Sequence, residues 1–98
     1  MRKITQQICN AFINRQRLTV GNSHTDGDRL VLHGNTIAIW TKDNDLEVTL
    51  AGWPTPTTRE RLNALPGVTA YQQKMRQYIN GREVGVNEWV RIRQSNLS

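Results

Sequence analysis

Apolar side chains recur at helical spacing near the start of the chain. The stripe consists of Ile4, Ile8, Cys9, Phe12 and Ile13. Positions three and four apart share one face of a helix, so this pattern predicts an amphipathic helix over residues 6–13. Thr5 is its predicted N-cap, because a threonine hydroxyl accepts a hydrogen bond from a free first-turn amide. Ile4 and Cys9 are then placed to form a hydrophobic staple.

A period of two replaces the helical period from Leu18 onward. Residues 18–20 are predicted as a short strand, and the polar residues 21–28 as a loop. Residues 29–50 alternate between apolar and polar side chains and are predicted as a three-stranded antiparallel meander. Its turns are expected at Gly34-Asn35, a favoured hairpin pair, and at residues 42–45.

The centre of the chain, residues 51–67, combines a turn, a helix start and a helix stop. Thr57 and Glu60 have the spacing of a capping box, which predicts a helix over residues 58–65. Leu62 and Leu65 share one face of that helix, and the following Pro66-Gly67 pair ends it.

The last third of the chain is predicted to be β-rich. Residues 68–73 and 76–79 are strand-like, and Asn80-Gly81 is a strong hairpin turn. Residues 89–93 are expected to return beside the second of these strands, and residues 94–98 to be frayed. The complete pattern predicts an α+β fold. It has one antiparallel meander sheet, an N-terminal helix and a short capped helix in the middle, within a single domain over residues 1–98.

Composition limits the class of protein. A chain of 98 residues with 37% hydrophobic and 21% charged residues suits one globular domain. No apolar run reaches the roughly 20 residues that a membrane span needs, and the N-terminus lacks an apolar signal core. We therefore expect no membrane association and a cytoplasmic location. Cys9, the single cysteine, is expected to be a small apolar side chain without disulfide or metal chemistry.

Charge is the compositional feature that points to a partner. Thirteen Lys and Arg against eight Asp and Glu give a net charge of +5. Residues 1–49 carry +1 and residues 50–98 carry +4, and most of the bases are arginine. A cationic surface of this kind favours a polyanion or an acidic protein surface through long-range attraction.

The acidic and histidine residues do not form a reactive constellation. Asp26 and Asp28, like Asp43 and Asp45, lie two apart in predicted turns, where aspartate bonds its own backbone. They lack the spacing of a calcium-binding loop. The two histidines, His24 and His33, have no third ligand at a helical or strand spacing. We therefore expect no catalytic residue, no metal and no cofactor, and we interpret the protein as a non-enzyme.

A binding surface is the better-supported hypothesis. Trp53 lies between Gly52 and Pro54, on a rigid turn just before a helix. Two interpretations stay open: Trp53 is an anchor on a partner, or it is a lid over the core. The basic C-terminal hairpin, with Lys74, Arg93 and Tyr71, could add cations and stacking surfaces. The predicted binding residues are Trp53, Arg59, Arg61, Arg76, Tyr78, Arg82 and Arg91.

Several runs of the sequence carry a family resemblance. They are residues 1–7, 32–38, 51–55, 57–63 and 78–81. These runs resemble a family of small tailed-bacteriophage proteins of unassigned function, and the resemblance spans most of the chain. The chain departs from that family at Gln77, where members carry tryptophan, and at Val84-Gly85-Val86, where they carry Trp-Asp-Gly. The resemblance implies a phage-encoded accessory protein of the bacterial cytoplasm, and it assigns neither a catalytic residue nor a ligand.

Two functions are compatible with these observations. One is a protein that binds and inhibits a host defence or nucleic-acid-handling protein, or its complex with nucleic acid. The other is a basic accessory protein that binds DNA or RNA directly. Salt separates them, because contacts to phosphates release counterions and weaken steeply as salt rises. The oligomeric state does not follow from the sequence.

Overall fold

The chain folds into two helices and nine strands within residues 2–94, the part that the computed structural model describes. In chain order these elements are α1 (Lys3–Ile13), β1 (Leu18–Val20), β2 (Ser23–Thr25), β3 (Arg29–Leu32), β4 (Asn35–Trp40), β5 (Leu46–Val48), α2 (Pro56–Asn63), β6 (Ala70–Gln73), β7 (Arg76–Ile79), β8 (Arg82–Val84) and β9 (Val90–Ile92). Every strand pair is antiparallel. The predicted α+β class is confirmed.

The strands form two sheets. Six strands pair in the order β1-β2-β3-β4-β5-β9, and β6, β7 and β8 form a separate three-stranded meander. The predicted three-stranded meander over residues 29–50 is confirmed as β3, β4 and β5. The core lies between these sheets and the two helices. Its apolar side chains come from both helices and both sheets, including Phe12, Leu46, Leu62 and Ile79.

Helix α1 begins earlier than the sequence predicted. It starts at Lys3 after Arg2, and no side chain caps it. Thr5 is fully buried inside the helix, where its hydroxyl donates to Glu60 and accepts from Arg61. The predicted Thr5 cap, and the staple that depends on it, are therefore wrong. The apolar face is as predicted, because Ile8, Cys9 and Phe12 are buried against the sheet.

The polar segment predicted as a loop over residues 21–28 contains strand β2. Ser23 and Thr25 point inward and are buried, although both are polar. Their hydroxyls are satisfied there: Ser23 Oγ accepts from Arg61 Nε at 3.3 Å, and Thr25 Oγ1 accepts from the Gly27 amide at 3.0 Å. A buried strand that uses hydroxyl groups instead of apolar side chains has no hydrophobic alternation, so the sequence pattern missed it.

The two predicted hairpin turns have different outcomes. Asn80 and Gly81 form the turn between β7 and β8 with φ of 53° and 83°, as predicted. The turn between β3 and β4 is His33-Gly34, with φ of 51° and 78°, and Asn35 already belongs to β4. The predicted turn was therefore one residue too late. Both turns need left-handed backbone, which glycine supplies at low cost.

The C-terminal strands pair differently from the prediction. Residues 82–84 form β8 and complete the small sheet, whereas β9 pairs with β5 at the edge of the large sheet. The predicted return of residues 89–93 beside β7 is therefore wrong. Gln94 is tied down, because its amide donates to Asp45 Oδ1 at 2.8 Å and its side chain donates to Pro66 O at 2.9 Å. The rest of the segment predicted to be frayed, residues 95–98, lies outside the described residues.

Helix α2 begins at Pro56 and has Thr55 as its N-cap. The Thr55 hydroxyl accepts from the Thr58 amide at 3.2 Å, and proline is well suited to the first helical position because it has no amide to satisfy. Glu60 turns away to form an ion pair with Arg2 at 3.1 Å. The predicted capping box of Thr57 and Glu60 is therefore wrong, and the helix starts two residues earlier than predicted.

Arg61 is the largest fully buried side chain in the described residues, with 1% of its surface exposed. Its Nη1 donates to Thr5 Oγ1 and lies 3.5 Å from Glu60 Oε1, while its Nε donates to Ser23 Oγ. Burial lowers the pKa of Arg61, and hydrogen bonding from Thr5 and Arg2 lowers the pKa of Glu60. These contacts join α1, β2 and α2. Arg61 therefore holds the interior together and is not the surface residue that the sequence predicted.

Replacing the cap residue Thr55 with alanine should lower the free energy of unfolding by about 1 kcal/mol, because the Thr58 amide loses its acceptor. Thr57→Ala is the matched control. It removes only an exposed contact to Arg2 and should cost less than about 0.5 kcal/mol. Urea denaturation of both variants measures the difference. A larger loss for Thr57→Ala would place the cap at Thr57.

Removal of the Arg61 side chain should be far more costly. Arg61→Ala leaves Glu60, Thr5 and Ser23 without their shared donor, and we expect a loss of about 3–5 kcal/mol. Arg2→Ala removes the exposed partner of the same glutamate and should cost less than about 1 kcal/mol. Thermal unfolding monitored by circular dichroism compares the two variants. Equal, small losses would contradict the central structural role of Arg61.

Candidate functional site

Trp53 sits on a turn that is fixed from two sides. Ala51 and Gly52 have φ of 54° and 78°, and the Trp53 amide donates to Leu50 O at 2.9 Å to close the turn. The Gly52 amide donates to Val86 O at 2.8 Å, which ties this turn to the loop between β8 and β9. The Trp53 side chain is 60% exposed. Of the two interpretations left open by the sequence, the lid over the core is excluded by this exposure.

Two further large apolar side chains are exposed on the loop that Gly52 contacts. Val86 is 38% exposed and Trp89 is 46% exposed. We call Trp53, Val86 and Trp89 together the Trp53 surface. Sequence analysis missed Val86 and Trp89, because it assigned residues 89–93 to a hairpin that does not form. The hydrogen bond from Gly52 to Val86 brings this loop to the Trp53 turn, and exposed apolar side chains on adjoining segments are typical of interaction sites.

A pocket opens beside Trp53 with a volume of about 440 Å³. It lies between β3, β4, the Trp53 turn and the start of α2, and it is lined by Leu32, His33, Asn35, Ile37, Leu50, Ala51, Trp53, Thr55, Thr57 and Thr58. Its lining combines apolar side chains with three threonines, Asn35 and His33. Its size and lining suit an apolar side chain of a partner.

Arg59 lies near this turn, and its side chain is half-buried. Its Nη1 donates to Pro54 O and to Gln77 Oε1, both at 2.9 Å, and to Gln72 Oε1 at 3.2 Å. These acceptors are uncharged, so they orient the guanidinium without neutralising it. The predicted proximity of Arg59 to the Trp53 turn is confirmed, whereas Arg61, two residues further along α2, points into the core.

The predicted basic face of the C-terminal hairpin is divided between two sheets. Arg76 and Arg82 belong to the small sheet, but Arg91 lies on β9 in the large sheet. Tyr71 and Tyr78 do stack, with ring centroids 5.1 Å apart and planes at 8°. Only part of the predicted constellation is therefore brought together.

Most arginines of the predicted site are already paired with carboxylates. Arg76 lies 3.2 Å from Glu83, Arg82 contacts Glu88, and Arg91 lies 3.1 Å from Asp45 and 3.2 Å from Asp43. The Gln94 amide and Arg91 lower the pKa of Asp45. Within residues 2–94, the bases without an ion pair are Lys3, Arg17, Lys42, Arg59, Lys74 and Arg93. These free cations lie on different elements.

The histidines, the turn acids and the cysteine have structural partners. His24 Nδ1 lies 2.7 Å from Thr19 Oγ1, and His33 Nε2 lies 3.1 Å from the Asn22 side chain. Asp26 accepts from two backbone amides of its own turn, which lowers its pKa to about 2. Burial raises the pKa of Cys9 to about 12, so its thiol stays protonated. In the described part of the chain, no group of three or more His, Cys, Asp or Glu side chains is arranged to hold a metal ion.

Trp53 and Trp40 provide a matched comparison of exposed and packed indoles. Trp40 stacks on Phe12 at 5.4 Å and donates to its carbonyl at 3.0 Å. Trp40→Ala should therefore cost about 3 kcal/mol and lower Tm by roughly 12 °C or more. Trp53→Ala should cost less than about 1 kcal/mol, because most of its side chain is already in water. Calorimetry of both variants tests this, and a comparable loss for Trp53→Ala would make Trp53 a packing residue.

Comparison with known proteins identifies a family. A family model described as Kyanoviridae Gp96 protein matches residues 1–96. Searches of curated proteins and of solved structures found no match. No helix among residues 2–94 is both long and apolar enough to cross a membrane. The match extends over nearly the whole chain and agrees with the phage resemblance of the sequence motifs. The chain therefore belongs to the Kyanoviridae Gp96 family of bacteriophage proteins.

Proposed function

We propose that this phage protein is a non-enzymatic accessory protein that binds a host protein and inhibits it. The partner is a defence protein or a nucleic-acid-handling protein in the cytoplasm of the infected bacterium. The observation that carries the proposal is the Trp53 surface, where Trp53 is 60% exposed on a turn fixed by hydrogen bonds beside an apolar pocket.

The rigidity of this turn supports binding to a folded partner. An exposed tryptophan on a flexible loop would lose conformational entropy when it docks, but this turn is already held, because the Trp53 amide donates to Leu50 O and the Gly52 amide donates to Val86 O. Tryptophan is among the residues that contribute most to protein interfaces, because it buries a large area with few rotatable bonds. The adjacent pocket offers a complementary site for an apolar side chain of the partner.

The distribution of charge favours a protein partner over nucleic acid. Seven arginines are within 4 Å of a carboxylate: Arg2, Arg15, Arg29, Arg61, Arg76, Arg82 and Arg91. Contacts to a row of phosphates require several free cations along one track. The net charge of the whole chain, +5, would instead speed association with an acidic protein surface.

Inhibition is the expected result of such binding. A phage accessory protein can cover the active site or the binding surface of a host enzyme, or of its complex with nucleic acid. It then blocks that surface without catalysing a reaction of its own. The area that we propose for this contact is the Trp53 surface with the pocket that Trp53 lines.

Direct binding of nucleic acid is the second candidate function. It is favoured by the stacked pair Tyr71 and Tyr78 beside Arg59, with the unpaired Lys74 at the tip of the same hairpin. Aromatic faces next to cations are used by single-strand binding proteins. Only one short segment of strand would fit this cluster.

Affinity capture from nuclease-treated host lysate tests both functions. The wild-type protein should retain its partner after nuclease treatment, and Trp53→Ala should bind the purified partner about tenfold or more weakly. Met75→Ala is the control, because Met75 is 86% exposed but lies on the turn between β6 and β7 and belongs neither to the Trp53 surface nor to the lining of the adjacent pocket. It should bind normally.

Inhibition is then measured on the activity of the purified partner with and without the phage protein. A partner that stays fully active when saturated would contradict the inhibitory role. Capture that disappears with nuclease, together with steep salt dependence, would favour the nucleic-acid function instead.

A further inference from the structure

The guanidinium of Arg59 is oriented by hydrogen bonds from one of its nitrogens, Nη1, to uncharged acceptors. Nη1 faces three carbonyl oxygens, from Pro54, Gln72 and Gln77, at 2.9–3.2 Å. Gln77 is buried, and its amide donates to Gln72 Oε1 at 3.0 Å, so the two glutamines are themselves held in place. The arginine is thus fixed in one conformation before any ligand arrives.

The rest of this guanidinium is free to bind. Within residues 2–94, Nε and Nη2 of Arg59 make no hydrogen bond, and no carboxylate oxygen lies within 4 Å of the group. These two nitrogens carry three N–H donors in one plane, a geometry that matches the two oxygens of a carboxylate. A guanidinium that is held in place and has no ion-pair partner is well suited to bind one negatively charged group.

Arg59 faces a second depression, of about 480 Å³, next to the Trp53 turn. Pro56, Glu60, Asn63, Tyr71 and Gln72 also line it. The link to the Trp53 turn is direct, because the Pro54 carbonyl that Arg59 binds belongs to the residue after Trp53. One partner segment that crosses the start of α2 would therefore meet both the cation and the apolar surface.

We propose that Arg59 receives a single carboxylate from the partner, supplied by an Asp or Glu side chain close to an apolar residue that packs on the Trp53 surface. This inference rests on the proposed function and names the chemistry of the partner's segment. A single carboxylate fits better than a run of phosphates, because Glu60 lines the same depression and, of the other bases without an ion pair in residues 2–94, only Lys74 belongs to the hairpin that lines it. The single positive charge of Arg59 is then matched by the single negative charge of the partner's carboxylate.

Selection of displayed random peptides on the immobilised full-length protein tests this assignment. Peptides that bind the wild-type protein should be enriched in Asp or Glu near Trp, Phe or Leu. A selected peptide, resynthesised with an amidated C-terminus, should bind about tenfold more weakly when its acidic residue is changed to the amide. The Arg59→Gln variant should show a loss of the same size for the acidic peptide, and no preference between the two peptides.

Two further variants distinguish a specific contact between Arg59 and the carboxylate from a general effect of positive charge. Lys74→Gln removes one positive charge from the nearby hairpin tip and should change the affinity less than about twofold. Arg59→Lys keeps the charge and should bind with intermediate affinity, because lysine lacks the planar pair of donors. Melting curves of both Arg59 variants report whether each variant is folded. If Arg59→Gln does not fold, the affinity of Arg59→Lys for the acidic peptide provides the test.

Several results would overturn the proposal. Selected peptides without acidic enrichment would do so, as would equal weakening by Lys74→Gln and Arg59→Gln. Binding of a labelled single-stranded oligonucleotide that depends on Arg59, with no peptide binding, would assign the site to a phosphodiester instead. If Trp53→Ala weakens peptide binding but Arg59→Gln does not, the carboxylate site is wrong and the docking function stands. If neither variant weakens peptide binding, both the carboxylate site and the docking function are wrong.

Discussion

The buried guanidinium of Arg61 is the constraint on which the rest of the structure depends. A charge in the interior is tolerated only when its hydrogen bonds are made, and its partners come from α1, β2 and α2. These elements must therefore meet in one arrangement. Because residues two apart on a helix face different directions, fixing Arg61 inward directs Arg59 outward. The interior contact thus orients the helix that carries Arg59 and that follows the Trp53 turn.

The Trp53 surface and the Arg59 depression lie on either side of the start of α2. Proline occurs twice there, at Pro54 and Pro56, and Thr55 caps the helix between them. Restricted backbone angles and a satisfied cap keep this segment rigid. The apolar contact and the single ionic contact that we propose would therefore share one rigid support. That combination would give affinity through desolvation and specificity through charge, which is the usual division of roles at protein interfaces.

Sequence periodicity predicted those elements whose burial is apolar. The α1 stripe and the alternation in β3 to β5 were recovered because their side chains report directly which face is inside. Strand β2 was missed because Ser23 and Thr25 are buried through hydrogen bonds. The α2 cap was misplaced because two threonines competed for it, and proline at the first position decided the outcome. Arg61 was predicted at the surface because arginine is rarely buried, and nothing local in the sequence indicates partners more than thirty residues away.

The pairing of β9 with β5 has a consequence for how the chain is made. During synthesis, β5 emerges from the ribosome long before its outer neighbour, and α2, β6, β7 and β8 are all translated in between. Throughout that interval the backbone groups of Leu46 and Val48 on this edge have no strand beside them, and open edges invite pairing with other chains. The large sheet is therefore completed by the last strand of the described chain. The nascent chain is most exposed to misassembly just before that strand arrives.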